Sequence, residues 1–309
     1  MKLRALKTTA ALAGVALLGL GLASCSASAA ADGSATAGDA AGYAVDAETL
    51  VFGVVPDSVD TETNYQPLMD YIEQESGKTV EYHESTDYAA LIEAAIAGKI
   101  DVASFSGFTY VTAMNNGAAL TPISSIMNGP DQEPGYYSEA IVPVDSKVTS
   151  LEEFKDLKVC FVDPSSTSGY LFPSYNLLEA GLDPETDVTP VFAGKHDVSV
   201  QKVGEGVECE AGFAEDSEVL KSDKVKSIQQ TMVPGAPIVM SDTLPADVQE
   251  TLVAALEEVT IDEMIESGID SADSDAFRAT FYATEPVDDA YYDTVRDICE
   301  KTNAEQCKA

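Results

Sequence analysis

The stretch DYAALIEAAIAGKIDVASF, residues 87–105, decides the fold. Asp87 to Ala97 reads as a helix, with Leu91, Ile92, Ala95 and Ile96 along one side and Gly98 as its stop. Ile100 to Phe105 then reads as a strand. Working back, Thr79 to His83 is a second strand. Tyr65 to Ser76 is a helix with Leu68, Tyr71 and Ile72 at helical spacing, stopped by Gly77. Leu50 to Pro56 is a short apolar run that reads as a buried strand. Strand and helix alternate, which predicts an α/β fold with a mostly parallel sheet.

Working forward, the pattern restarts after Ser150. Leu151 to Leu157 is a short helix, and Lys158 to Val162 is a strand. Helices are expected near 170–180 and 198–203, a strand near 211–214, and a helical region from Ala246 to the end. Ile141 to Val144 and Ile238 to Met240 are extended segments that flank the 145–237 block. Two crossings between a split domain and an inserted one produce this pattern. The expected organisation is lobe I from 47–143 plus 238–309, lobe II from 144–237, and a ligand cleft between them.

The N-terminus reads as an export signal. Lys2, Arg4 and Lys7 precede an apolar run, Thr8 to Leu22, that is too short for a stable span. Leu22-Ala23-Ser24-Cys25 closes it as a bacterial lipobox, so 1–24 is expected to be a lipoprotein signal peptide and Cys25 the lipidated first residue. Residues 25–46 are dominated by Ala, Ser, Gly and Asp and read as a flexible tether. The expected location is extracytoplasmic, on the cell membrane through lipid at Cys25.

Composition narrows the function. The chain of 309 residues has a net charge of −36. Past residue 24 it holds 14 basic against 53 acidic residues, near −39. Such a field repels nucleic acid and anionic lipid, but it leaves room for a small anion held by local dipoles. Four cysteines remain beside Cys25: Cys160, Cys209, Cys299 and Cys307. An even number outside the cytoplasm points to disulfides. Pairing 160–209 with 299–307 is favoured, and the two other pairings stay open. No metal site and no cofactor is expected, because there is no C-x-x-C and the two histidines lie far apart.

Three motifs carry candidate chemistry. Asp163-Pro-Ser-Ser-Thr-Ser-Gly-Tyr170 lies between a strand and a helix. Ser166, Thr167 and Ser168 supply hydroxyls where helix N–H groups lack internal partners, and Gly169 admits close approach of the ligand. Pro173 places the start of the regular helix near Gly169 or Tyr170. Gly194-Lys-His-Asp197 offers His196 at a helix mouth, with Asp197 as its cap. Thr86 or Asp87 caps a helix that presents Tyr88 in its first turn. Ser106, in the loop after the third strand, would line the same cleft, and Tyr136 or Tyr137 would close it.

Taken in order, Phe52–Pro56, Tyr65–Leu68, Asp87–Ala94, Gly98–Ala103, Asp163–Tyr170, Ala193–Asp197 and Glu210–Gly212 resemble the phosphate/phosphite/phosphonate-binding proteins of ABC importers, the phosphonate-binding periplasmic family. The resemblance implies a two-lobed periplasmic-binding-protein-like (type II) fold with a hinge. It implies a monomer that captures phosphonate, phosphite or phosphate and hands it to a membrane ABC permease. Ser166, Thr167 and Ser168 match the cradle for the phosphorus oxygens, and His196, Tyr88 and Tyr136 or Tyr137 match its other contacts. Glu210, or else Glu208, is the nearest candidate for receiving the ammonium of an aminoalkyl phosphonate. Two departures stand out. Ser106-Gly107 replaces a Gly-Pro, and Val233–Pro237 lacks the Asp that relatives can carry to accept a ligand proton.

Other readings fit less well. An exported phosphatase or serine hydrolase lacks a G-x-S-x-G elbow and a metal cluster. A sugar cleft usually needs stacking faces, and there is no Trp, although there are 13 Tyr. A lipoprotein that reports to a sensor would share the same ligand site.

Overall fold

β1 (Thr49–Val54) lies at the centre of one half of the molecule, and its side chains explain why helices cover both faces. Leu50, Phe52 and Val54 point to one face and pack with Leu68, Ile72, Leu252 and Leu256. Val51 and Val55 point to the other and pack with Leu91, Ile92 and Ile100. A strand buried on both faces is an unbroken apolar run, as the sequence has it. A side chain at Gly53 would place its Cβ 2.7 Å from Leu91, so only glycine lets the 87–97 helix pack this closely.

The computed structural model describes residues 42–130 and 133–308. The signal peptide, Cys25 and most of the tether lie outside the described residues. The tether expectation runs too far at its end. Ala44 N–H donates to the buried Asp101 carboxylate at 2.9 Å, and the Tyr43 ring lies under the Lys78 ammonium, so the chain is docked from there on. No described helix is long and apolar enough to cross a membrane.

The remaining strands are β2 (Thr79–His83), β3 (Val102–Ser104), β4 (Leu120–Met127), β5 (Gly135–Pro143), β6 (Lys158–Phe161), β7 (Thr189–Phe192), β8 (Ala211–Glu215), β9 (Val225–Pro234), β10 (Pro237–Ser241) and β11 (Ala283–Pro286). The helices are α1 (Thr61–Ser76), α2 (Tyr88–Ile96), α3 (Gly107–Asn115), α4 (Phe172–Glu179), α5 (His196–Glu205), α6 (Asp216–Val219), α7 (Ala246–Leu256), α8 (Ile261–Glu266), α9 (Asp275–Arg278) and α10 (Asp293–Thr302). The sheet order is β2-β1-β3-β10-β4-β5-β8-β6-β7, with β11 on β4 and β9 on β5.

Two expectations need correction. The sheet is mixed rather than mostly parallel: β10 runs antiparallel to β3 and β4, and β5 runs antiparallel to β8 and β9. These are the strands on which the chain returns, and a returning strand reverses direction. The C-terminal region also holds a strand, β11, because Ala283–Pro286 hydrogen-bonds to Ser124–Met127. β5 pairs along its length with β9 and joins β4 only at Met127 and Gly135. All of these strands belong to one continuous sheet, which is narrowest at the Met127–Gly135 pair. A nine-residue strand is placed by its ladder partners, which its own sequence does not name.

Disulfides join Cys160 to Cys209 and Cys299 to Cys307, each with Cα atoms 5.6 Å apart. The first ties β6 to the start of β8. The second pins the tail to α10.

Candidate functional site

A small cavity lies where the two halves of the sheet meet, near the carboxyl ends of β1, β3 and β8. Parallel strands in α/β proteins gather their ligands at these ends. Its volume is about 60 Å³, against roughly 10–15 Å³ for one water. The wall includes Asp57 and Ser58 after β1, Tyr65 on α1, Tyr88 at the start of α2, and Phe105 and Ser106 after β3. From the other half come Tyr136 on β5, His196 at the start of α5, Glu215 at the end of β8, and Asp216 to Glu218 on α6. No lysine or arginine is among the lining residues.

Local rules position these groups. Asp87 caps α2 by accepting from Ala90 N–H at 2.8 Å, which leaves Tyr88 as the first helical residue, buried. Ser106 caps α3 and pairs with Thr109 Oγ1 at 2.7 Å, so its hydroxyl is engaged although it borders the cavity. Residues on a strand alternate faces, so Tyr136 enters the cavity and Tyr137 does not.

His196 is 2% exposed. Its Nδ1 accepts from Glu215 N–H at 2.9 Å, so the neutral ring carries its proton on Nε2. That Nε2 lies 4.0 Å from Glu215 Oε2. Burial pushes the imidazole pKa down to about 4, so the ring is a neutral donor at physiological pH. Asp197 does not cap the helix: Lys195 occupies the cap position, and one buried Asp197 oxygen has no partner among the described residues.

Two acids that the motifs did not flag share this cavity. Burial first, and the neighbouring Glu215 second, raise the Asp57 carboxyl to about 7. Burial likewise raises Glu215 to about 7. Burial also raises the phenols of Tyr65, Tyr88 and Tyr136, which stay protonated donors. Asp57 and Glu215 follow strands that the sequence does reveal. The signal that could have found them is an acid just past the carboxyl end of a buried strand.

The hydroxyl run behaves differently from expectation. Ser166 Oγ caps a π-helical turn, Thr167–Leu171, by accepting from Gly169 N–H at 3.0 Å. Thr167 Oγ1 accepts from Phe108 N–H at 2.7 Å, and Thr109 Oγ1 donates to Ser165 O at 3.0 Å. These bonds stitch α3 to the turn. Ser168 Oγ is buried without a well-formed hydrogen bond and lies close to the Tyr136 phenol. Gly169 serves packing rather than ligand approach, since a Cβ there would lie 2.4 Å from Val162. The regular helix starts at Phe172, later than expected, because the π turn precedes it and Pro173 sits at its head.

Glu210 is exposed and accepts from Lys158 N–H at 3.1 Å, at the amino end of β8. Glu215 lies at the opposite end, so Glu210 does not reach the cavity. Glu208 is exposed too and pairs with Lys202 at 2.5 Å. Val233–Pro237 brings no acid; only Ala236 of that stretch borders the cavity.

Further contacts cross between the halves. His196 N–H donates to Asp57 O at 2.8 Å, and Lys195 Nζ donates to Ser58 O at 2.7 Å.

Residues 52–292 match the family described as the phosphonate periplasmic substrate-binding protein of ABC transporters. The chain belongs to this family. A phosphate-import protein, PhnD, of Mycolicibacterium smegmatis is 34% identical over 285 residues, covering 84% of this chain and 88% of the relative. The phosphonates-binding periplasmic protein of Escherichia coli is 25% identical over 213 residues, covering 64% and 62%. In structure, this family member is similar to PhnD1 from Prochlorococcus marinus, solved with methylphosphonate (TM-score 0.72, 19% identity, 83% and 99% covered). It is also similar to an ABC phosphonate-transporter binding protein from Pseudomonas aeruginosa (TM-score 0.69, 21% identity, 82% and 86% covered). The fold is that of type II periplasmic binding proteins. Membership makes the chain a substrate-binding protein of an ABC importer, not an enzyme, and sets aside the hydrolase reading.

Proposed function

We propose that this protein captures phosphate, phosphite or a small phosphonate outside the cytoplasm, held to the membrane by lipid on Cys25, and delivers it as a monomer to an ABC permease. The carrying observation is the cavity itself, in which neutral His196 Nε2–H and the protonated phenols of Tyr88 and Tyr136 converge from both halves of the sheet. Its volume suits a small oxyanion rather than one with a long tail. Similarity to a phosphate-import protein and to a methylphosphonate complex supports the same class.

Capture works by closure. The sheet narrows to one residue pair between β4 and β5, which suits a hinge between a lobe carrying Asp57, Tyr65 and Tyr88 and a lobe carrying Tyr136, His196 and Glu215. A bridging anion favours the closed form because only that form gives it donors from both sides. Thr167 and Ser168 contribute at the edge, through the N–H groups that open their turn and through the free Ser168 hydroxyl. Charge-assisted hydrogen bonds stabilise by roughly 1.5–3 kcal/mol each, and micromolar affinity needs about 8 kcal/mol, so four such bonds suffice. Lipid on Cys25 keeps the closed form near the permease.

Titration calorimetry on the soluble form starting at Ser26, stripped of carried-over ligand, tests this. Phosphate, phosphite, methylphosphonate and 2-aminoethylphosphonate are the ligands. Micromolar or tighter binding to at least one is the expected result. Binding to none sinks the reading.

A further inference from the structure

The cavity holds four carboxyl groups. Glu218 pairs with Lys221 at 2.6 Å, and Asp216, next to Glu215 in sequence, keeps one buried oxygen without a partner among the described residues. Asp57 and Glu215 are partly engaged. One oxygen of each is held by a hydroxyl at 2.7 Å, Thr61 Oγ1 on Asp57 Oδ1 and Ser217 Oγ on Glu215 Oε1. The other oxygen of each has no hydrogen-bond donor among the described residues. Glu215 Oε2 has only His196 Nε2, 4.0 Å away.

An ionised carboxylate oxygen set against a bare phosphorus oxygen is acceptor facing acceptor, with like charge added. The contact turns favourable when a hydrogen sits between them. Asp57 follows β1 and Glu215 ends β8, so the two acceptors come from opposite halves of the sheet. His196 and the tyrosines supply donors, and no cation lines the cavity to offset a fully ionised ligand.

We propose that Asp57 and Glu215 each accept a hydrogen from a hydroxyl of the bound oxyanion, so that the site selects inorganic phosphate. This rests on the oxyanion reading above and names the ligand within it. Phosphate can present two P–OH groups and still be an anion. Phosphite and methylphosphonate present one at most as anions, and sulfate presents none near neutral pH. Free carboxyls raised to about 7 exchange protons with such a ligand readily. His196, Asp216 and Glu218 face the pair, burial raising the Asp216 carboxyl as well, while Lys221 is engaged with Glu218. His196 stays neutral and Glu218 stays paired, so Asp57, Glu215 and the ligand are the groups that exchange protons above neutral pH.

Competition calorimetry on the stripped soluble form is the test, with phosphate, phosphite, methylphosphonate, 2-aminoethylphosphonate and sulfate. Phosphate should bind at least about tenfold tighter than phosphite or methylphosphonate, and about a hundredfold tighter than sulfate. Its affinity should fall about tenfold or more from about pH 7 to about pH 9, because the complex keeps protons that the free partners have lost. Asp57→Asn and Glu215→Gln, each checked for a cooperative melting transition, should each cut the phosphate preference at least about tenfold.

Equal affinity for phosphate, methylphosphonate and sulfate would overturn the proposal while leaving the oxyanion site intact. So would 2-aminoethylphosphonate as the tightest ligand, lost in Glu215→Gln, which would assign the carboxylate to an ammonium. Binding of no oxyanion would remove the functional reading and this proposal together. If neither variant folds, the ligand ranking and pH profile of the unaltered protein decide.

Discussion

Two regions of this molecule offer oxygen-rich groups near one cavity, and they use them in opposite ways. The Ser165–Ser168 run turns two of its four hydroxyls, those of Ser166 and Thr167, to capping its own turn and binding α3. The wall of Asp57, Tyr88, Tyr136, His196 and Glu215 points its polar atoms into the cavity. The run is conspicuous in sequence because it is contiguous. The wall is scattered over about 160 residues and assembles only when the two halves of the sheet meet. A dense motif therefore locates a site without naming the groups that touch its ligand.

The strongest way to break this contrast is His196→Ala. It removes the Nε2–H donor and leaves the Glu215 N–H unpartnered, so phosphate affinity should fall about a hundredfold, near 2.7 kcal/mol, by calorimetry. Affinity within threefold of wild type would remove the imidazole from the site.

Next in size is the stability of the empty protein. Asp57 and Glu215 have folded pKa values raised above their unfolded ones, so their contribution is full below about pH 4 and is lost as pH rises through about 7. His196, held low at about 4, runs the other way, adding stability as pH rises from about 4 to about 6.5. Glu215→Gln should therefore stabilise the empty protein near pH 8 by about 1–2 kcal/mol and do little near pH 4, by thermal melts. A variant less stable than wild type at pH 8 counts against the strained-acid wall.

The pair Tyr136 and Tyr137 sharpens the contrast within one strand. Tyr136→Phe should weaken binding about tenfold and Tyr137→Phe less than about twofold, because adjacent residues face opposite ways. Equal losses would mean that the face assignment is wrong.

Thr167→Val is expected to act mainly on structure. It leaves the Phe108 N–H without its acceptor, which costs about 1 kcal/mol of stability. A binding loss well beyond tenfold with unchanged melting would place the Thr167 hydroxyl on the ligand.

The halves of the fold were unequally readable from sequence. The first three strands and the helices between them follow from local patterns: apolar runs, helical spacing at Leu91 and Ile92, and stops at Gly77 and Gly98. β9 and β11 do not. β9 is a half-exposed edge strand with polar residues at Gln229, Gln230 and Thr231, and β11 is four residues long and held by β4. Such strands are defined by distant partners, which local periodicity does not record. Of the cavity wall, Tyr88, His196 and Ser106 are readable from their places at helix starts and in a loop, and Tyr136 only as one of a pair with Tyr137. Asp57 and Glu215 are not, because an isolated acid at a strand end resembles any solvated loop residue until burial singles it out.

The most direct test of the account is a crystal structure of the protein grown with phosphate. The account places the phosphorus between the two halves of the sheet, with its oxygens in hydrogen-bond range of Tyr88 Oη, Tyr136 Oη and His196 Nε2, and with Ser166 Oγ and Thr167 Oγ1 still bonded to Gly169 and Phe108. An anion bound instead by the Ser166 and Thr167 hydroxyls, with Asp57 and Glu215 turned away from it, would contradict the account.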